Sequence, residues 1–267
     1  MDYTSLFNCV FEGINTNEQG GCFVITSNSQ INVTFCKFMS CSASYAGSFL
    51  VGETNYALNV FCSFFYRSFS FDSLSCFKSS SLTTDFNHSY ALLCQNNHDF
   101  GVYYTEYGES CFSNLDNITG CSGRNDGDID IHCYHRVLKC QNMQYTNDTS
   151  PRVSIWEKGV ESLMFEHINF IKCSGLQFIY SSPSPVITDS VLVLKTFTRA
   201  GISSLFKNCI YDTIPSGHIM ELCRRLDKPN TIIFKMDNCL NRSFRFTLTK
   251  MIPSLCIFIF VCLICIF

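Results

Sequence analysis

A short phrase, an apolar residue followed by two residues and then Cys, returns along this chain and limits what it can fold into. It stands at Leu6-Phe-Asn-Cys9, Phe38-Met-Ser-Cys41, Ile118-Thr-Gly-Cys121, Phe170-Ile-Lys-Cys173, Phe206-Lys-Asn-Cys209 and Met236-Asp-Asn-Cys239. Several copies follow an alternation of apolar and other residues, as in Ile31-Asn-Val-Thr-Phe-Cys-Lys-Phe and Ile232-Ile-Phe-Lys-Met, the period of a strand with one buried face. A copy without its final Cys, Val60-Phe-Cys-Ser-Phe64, places Phe61, Cys62 and Phe64 each 26 residues after Phe35, Cys36 and Phe38.

After the phrase the chain reaches a Gly and starts another short strand, at Gly21-Cys-Phe-Val-Ile, Gly47-Ser-Phe-Leu-Val, Gly127-Asp-Ile-Asp-Ile, Gly175-Leu-Gln-Phe-Ile and Gly217-His-Ile-Met-Glu. One repeat is then two or three short strands joined by corners, about 26 residues to a coil. A single coil cannot bury its apolar face, whereas stacked coils pair their strands in parallel about 4.8 Å apart and bury like residues in ladders. The expected body is an all-β parallel solenoid over residues 1–245, with about nine or ten coils, Phe and Ile inside and the phrase cysteines stacked at one recurring position. Those repeat-position cysteines are Cys9, Cys41, Cys121, Cys173, Cys209 and Cys239. The rival is the leucine-rich repeat, which needs apolar residues eight and five before each Cys and two after. Phe165 and Ile168 comply before Cys173, but Gly175 follows it, and Asp116, Gly123 and Ser204 break the rule elsewhere.

At these residues the chain resembles the right-handed parallel β-helix, or pectin-lyase-like, proteins. It is closest in character to the Cys- and Phe-rich β-helix surface proteins of unicellular eukaryotes, whose coils read like Ile168-Asn-Phe-Ile-Lys-Cys-Ser-Gly175. The resemblance implies the fold and, often, a C-terminal transmembrane segment; the repeated coils, the apolar C-terminus and the lack of catalytic motifs lead to the expectation of a structural or adhesive surface role without catalysis. The first copy begins at Leu6, without a preceding cap, so an N-terminally truncated member of that group is expected.

Residues 251–267 read MIPSLCIFIFVCLICIF, without charge, and reach about 25 Å as a helix, which predicts one membrane-anchoring helix as the C-terminal element. The N-terminus, with Asp2, has no apolar stretch of secretory length. Arg242, Arg245 and Lys250 beside the anchor would hold the body in the cytosol as a tail-anchored protein. The 18 cysteines argue instead for an oxidising compartment and the cell surface. Five Asn-x-Ser/Thr sequons, at Asn32, Asn87, Asn117, Asn147 and Asn241, are glycosylation sites if the body is translocated.

A net charge of −3 leaves no basic field for a phosphate backbone, so nucleic acid is not an expected partner. The expected partners are the membrane and an extracellular protein or glycan. Enzymes on β-helices cut acidic polysaccharides with clustered Asp, and the one acidic cluster here is Asp126, Asp128 and Asp130 with His132. That set is the candidate site of the alternative function, a carbohydrate-active enzyme; a nonfunctional fragment of a larger surface protein is the third reading. Alternation puts Asp128, Asp130 and His132 on one strand face with Ile129, Ile131 and Cys133 on the other. This splits the nearby His and Cys as metal ligands, and no EF-hand spacing follows Asp126. No metal or cofactor is expected. Aromatics on both faces are expected over Phe61 to Phe71.

Overall fold

The computed structural model describes residues 2–26, 29–52, 55–71, 76–96, 103–105, 110–114, 116–122, 129–130, 137–146, 149–150, 162–177, 186–199, 205–212 and 219–225. All lie in the first of two compact units, Met1–Phe234. Every strand pairing among them is parallel, and no helix occurs. Hence no described helix is long and apolar enough to cross a membrane; residues 251–267 lie outside the described residues.

The coils stack as a parallel β-solenoid. Its first face is a 10-stranded sheet that begins with Asp2–Phe7, Ser29–Thr34 and Ala57–Phe61 and ends with Leu205–Lys207 and Ile219–Glu221. We number the rungs by these strands. The second face, an 11-stranded sheet, begins with Val10–Glu12, Lys37–Met39 and Phe64–Tyr66. Two smaller sheets close the early rungs: Ser42–Ala43, Phe69–Ser70 and Gln95–Asn96 in one, and five strands from Phe23–Ile25 to Ile129–Asp130 in the other. Several sheets per coil, rather than one strand backed by helices, set this fold apart from the leucine-rich repeat.

Two corners recur in each early rung, and both have the same local formula. An inward residue stands next to last in a strand, an outward residue ends it, the next residue takes a positive φ, and the chain turns inward. At the first corner the positive-φ residues are Asn8, Phe35, Cys62, His88, Asn142, His167, Asp189, Asn208 and Leu222. At the second they are Gly13, Ser40, Arg67, Leu93, Gly120 and Lys172. The backbone N–H of the first-corner residue donates to the next rung, as in Asn8 to the Thr34 carbonyl (2.9 Å) and Phe35 to the Phe61 carbonyl (3.0 Å). That bond satisfies a group that a turn would otherwise leave orphaned.

The shared formula corrects the expectation of one cysteine column. Cys9 and Cys209 follow first-corner residues, whereas Cys41, Cys121 and Cys173 follow second-corner residues. Cys239 lies outside the described residues. The 26-residue alignment of Cys62 on Cys36 is also corrected. Val33 pairs with Val60 and Phe38 with Phe65, a step of 27, so Ser63 faces Cys36 and Cys62 becomes the positive-φ corner residue. Gly175 does not open a strand either; it lies inside the strand Asn169–Gln177, at a register shift.

Inside the early rungs two phenylalanine columns run along the stack. Phe11, Phe38 and Phe65 have ring centroids 5.0 Å apart at 7°, and Phe23, Phe49 and Phe77 lie 4.8 and 4.9 Å apart at 10° and 2°. The columns interlock through Phe38 and Phe49 at 5.3 Å. Burial of the enclosed rings Phe38, Phe49, Phe65 and Phe77 contributes about 2–3 kcal/mol of apolar transfer energy for each side chain. The Gly21 corner admits no side chain, because a Cβ there would lie 1.9 Å from the Gly47 carbonyl oxygen.

Coil length then falls. The in-register residues Leu6, Val33, Val60, Phe86, Ser113, Cys140, Phe165, Ile187, Phe206 and Met220 are separated by 27, 27, 26, 27, 27, 25, 22, 19 and 14 positions. As it falls, the short second-face strands and their corner merge into the nine-residue strands Asn169–Gln177 and Val191–Arg199.

Candidate functional site

The first corner carries the most distinctive surface of the described residues. Each rung presents two outward groups there, the last residue of the first-face strand and the positive-φ residue after it. In rungs 1 to 4 these include Phe7, Phe35, Phe61 and His88, whose rings meet edge to face in sequence at 5.7, 5.7 and 5.5 Å. Phe7 is 56% and Phe61 39% exposed. Phe35 takes φ 55°, a conformation that disfavours a bulky side chain by roughly 1–2 kcal/mol and that Asn accepts far more readily. Asn8, Asn142 and Asn208 hold the equivalent place in other rungs. Keeping a phenyl ring on this edge therefore runs against local preference.

The ridge continues round the corner onto the second face. Phe64 lies 6.0 Å from Tyr66 and 5.6 Å from Tyr90, and the Arg67 guanidinium sits 5.0 Å over the Tyr66 ring. Phe65, between Phe64 and Tyr66, is fully buried. The expectation of aromatics on both faces after Phe61 thus holds, with alternation deciding which ring faces where. Such a surface can stack against planar or ring-shaped partners and take an acidic group at Arg67.

Farther along, the same corner turns polar. Gln141 donates to Glu166 Oε2 at 2.6 Å, His167 Nδ1 lies 3.7 Å from Glu166 Oε1, and Asn208 donates to Asp189. Glu166, His167 and Asp189 bring one ligand atom each within 4.8 Å of one another, close enough for a divalent cation. Sequence reading missed this trio because Glu166 and His167 are 22 or 23 positions from Asp189, and the coil had already shortened from its earlier length.

Of the acidic cluster read from sequence, Asp126, Asp128 and His132 lie outside the described residues. The backbone of Asp130 is placed: Ile129–Asp130 pairs with Tyr103–Tyr104, so Ile129 takes the register of Phe77, Phe49 and Phe23, and Asp130 that of Lys78, Leu50 and Val24. Among the sequons, Asn32 is half-buried in a first-face ladder, donating to the Tyr3 hydroxyl and accepting from Asn59 at 2.7 Å. Asn117 accepts from the Thr119 hydroxyl at 2.8 Å, and Asn87 ends the strand Thr83–Asn87 half-buried. Asn147 and Asn241 lie outside the described residues.

In the ladder of Ser5, Asn32 and Asn59 the next residue is Asp85. Burial raises the Asp85 carboxyl above its usual value, and its Oδ1 has no hydrogen-bond partner.

Most described cysteines are set inward, Cys9, Cys36 and Cys209 after the first corner and Cys41, Cys94, Cys121 and Cys173 after the second, while Cys111 and Cys140 lie inside first-face strands and Cys62 is itself a corner residue. Burial pushes Cys36 and Cys209 up to about 11 and Cys94 well above the usual thiol range. Cys22 and Cys41 differ: their sulfurs are 3.4 Å apart and share a hydrogen bond, which raises Cys22 and lowers Cys41. No family model, curated protein or solved structure matches this chain.

Proposed function

We propose that the chain is a surface protein of the right-handed parallel β-helix type, held to a membrane by a helix over residues 251–267 and displayed outside the cell. Its role is adhesive: it binds a protein or glycan through the aromatic ridge and performs no catalysis. The observation that carries this reading is Phe35, an aromatic ring kept at a positive-φ corner between Phe7 and Phe61. A solenoid suits such a role because its stacked rungs hold a row of side chains at fixed spacing on rigid backbone. The uncharged segment 251–267 and the abundance of cysteine support membrane attachment and an oxidising location.

Adhesion of cells displaying the full-length chain tests the reading. A variant with Phe7→Thr, Phe35→Asn and Phe61→Thr borrows residues found in the same columns at other rungs: Thr34, Asn142 and Thr34 again. Adhesion should fall at least about tenfold, with the circular dichroism spectrum unchanged. Undiminished adhesion overturns the assignment. Release of reducing ends or unsaturated products from an acidic polysaccharide, abolished by Asp128→Ala, would replace it with the enzyme.

A further inference from the structure

Two inward columns run side by side behind the second corner. Cys22, Ser48 and Cys76 form one, linked by backbone bonds from Cys22 N to the Ser48 carbonyl (2.6 Å) and from Ser48 N to the Cys76 carbonyl (2.7 Å). Cys41, Ser68, Cys94 and Cys121 form the other, each preceding a residue of the next small sheet or bridge. Across the gap the columns meet in like pairs. Cys22 Sγ lies 3.4 Å from Cys41 Sγ, Ser48 Oγ 2.9 Å from Ser68 Oγ, and the Cys94 thiol shares a hydrogen bond with Cys76. Every pair joins the residue before a five-stranded-sheet strand in one rung to the residue before a three-stranded-sheet strand in the following rung. The chain thus builds one cross-rung contact three times, twice with thiols and once with hydroxyls.

We propose that Cys22 and Cys41 are a cross-linking site, forming an inter-rung disulfide when the protein meets a small-molecule disulfide such as oxidised glutathione. Their sulfurs already stand near van der Waals contact, and a disulfide needs them about 2.05 Å apart, a change within reach of side-chain rotation. Cys22 is half-exposed and Cys41 is fully buried, so the oxidant enters at Cys22. Cys22 passes its proton to the Cys41 sulfur, to which it already donates, and attacks the oxidant's S–S bond, forming a mixed disulfide and releasing one glutathione thiolate, which takes that proton from Cys41. The Cys41 thiolate then attacks the Cys22 sulfur, breaking the mixed bond and releasing the second. The two protein thiols are oxidised, one oxidant disulfide is reduced to two thiols, and the two thiol protons go to the leaving thiolates. The product fastens the first rung to the second, where the inward residues Leu6, Phe11 and Phe23 are only partly buried. The inference stands on sulfur geometry and is independent of what the aromatic ridge binds.

The test uses the full-length chain equilibrated with oxidised or reduced glutathione, blocked by alkylation, and cleaved after Lys, Arg and Glu. Residues 19–37 then carry Cys22 and Cys36, and residues 38–53 carry Cys41. The oxidised sample should hold these peptides together, the linkage surviving Cys36→Ser and disappearing in Cys22→Ser. Unlinked peptides after oxidation, or a linkage that persists in Cys22→Ser, overturn the proposal. A second readout uses the Cys22→Ser/Cys41→Ser double variant, which copies the Ser48–Ser68 pair and should fold in the same way. In the parent, oxidation should slow amide exchange over Phe23–Ile25 by on the order of 100-fold, the factor expected from closing a loop of about 20 residues. In the double variant exchange should ignore the redox state. Redox-insensitive exchange in the parent overturns the cross-link.

Discussion

Rungs 1 to 5 and rungs 7 to 10 share the first corner but enclose different interiors. The early coils advance 26 or 27 residues per step and add the two small sheets to the large faces, the first three enclosing two interlocked phenylalanine columns. The later coils shorten to 22, 19 and 14 and keep the two large faces only, among the described residues. Tyr145 stacks on Phe170 at 4.8 Å at the entry to this region. By the tenth rung an exposed Arg225 stands in the column where earlier rungs bury Phe38 and Phe65. The contrast separates two jobs that a coil performs. Corner geometry maintains the stack, and coil length decides how much apolar area each rung can enclose.

Core truncation should break this contrast most visibly. Phe49→Ala removes a ring stacked on Phe23 and Phe77 and tilted against Phe38 and Phe65, and should cost about 3–5 kcal/mol. Urea unfolding should register it as a shift of the main transition. Phe206→Ala, equally buried, should loosen only the last rungs, and hydrogen exchange would show protection lost near Ile219–Glu221 with the early amides unchanged. A uniform loss of protection would mean that the two regions unfold as one.

A Cβ at Gly21 meets the Gly47 carbonyl, so Gly21→Ala should destabilise by about 1–3 kcal/mol, read as a fall in Tm. The early rungs should feel it first, since Gly21 is a corner of the long coil.

Asp85→Asn should stabilise by about 1 kcal/mol at pH 7, because an amide there extends the Asn32–Asn59 ladder and satisfies a buried atom. The Asp85 pKa is raised by burial, so its penalty is absent below the ordinary Asp range near 4 and grows as pH rises through the folded value. The gain should therefore vanish at about pH 3. A gain that persists in acid would place its origin elsewhere.

Phe35→Asn should change stability least, within about 1 kcal/mol, as relief at the positive-φ corner offsets two lost ring contacts. Thermal melting would check it. A fall of several kcal/mol would make the ridge a structural element and remove the reason to treat it as a binding surface.

The stacked parallel architecture was legible in the sequence because strand alternation and the apolar-x-x-Cys phrase are local, and local geometry repeats at every rung. Register was not. Phe61-Cys62-Ser63-Phe64 imitates Phe35-Cys36-Lys37-Phe38 at one residue's offset, and only pairing between rungs shows that Val60 matches Val33. The two corners were invisible as two, since both obey one formula. The ridge was half legible: its aromatics stood out, but Phe61 outside and Phe65 inside are the same residue type, separated only by the turn at Cys62. Glu166, His167 and Asp189 come together through a shortened coil, a length no local pattern encodes.

The constant step of the early rungs bears on how such a chain can change its length. Removing residues 34–60 would join Val33 to Phe61, which occupies the place of Thr34, and every column on both corners would close over the gap. A duplication of the same length would be absorbed equally well. Beyond Cys140 no such excision is neutral, because each coil there fits only between its two neighbours. The early rungs can gain or lose whole units by recombination, while the later described rungs are fixed in number.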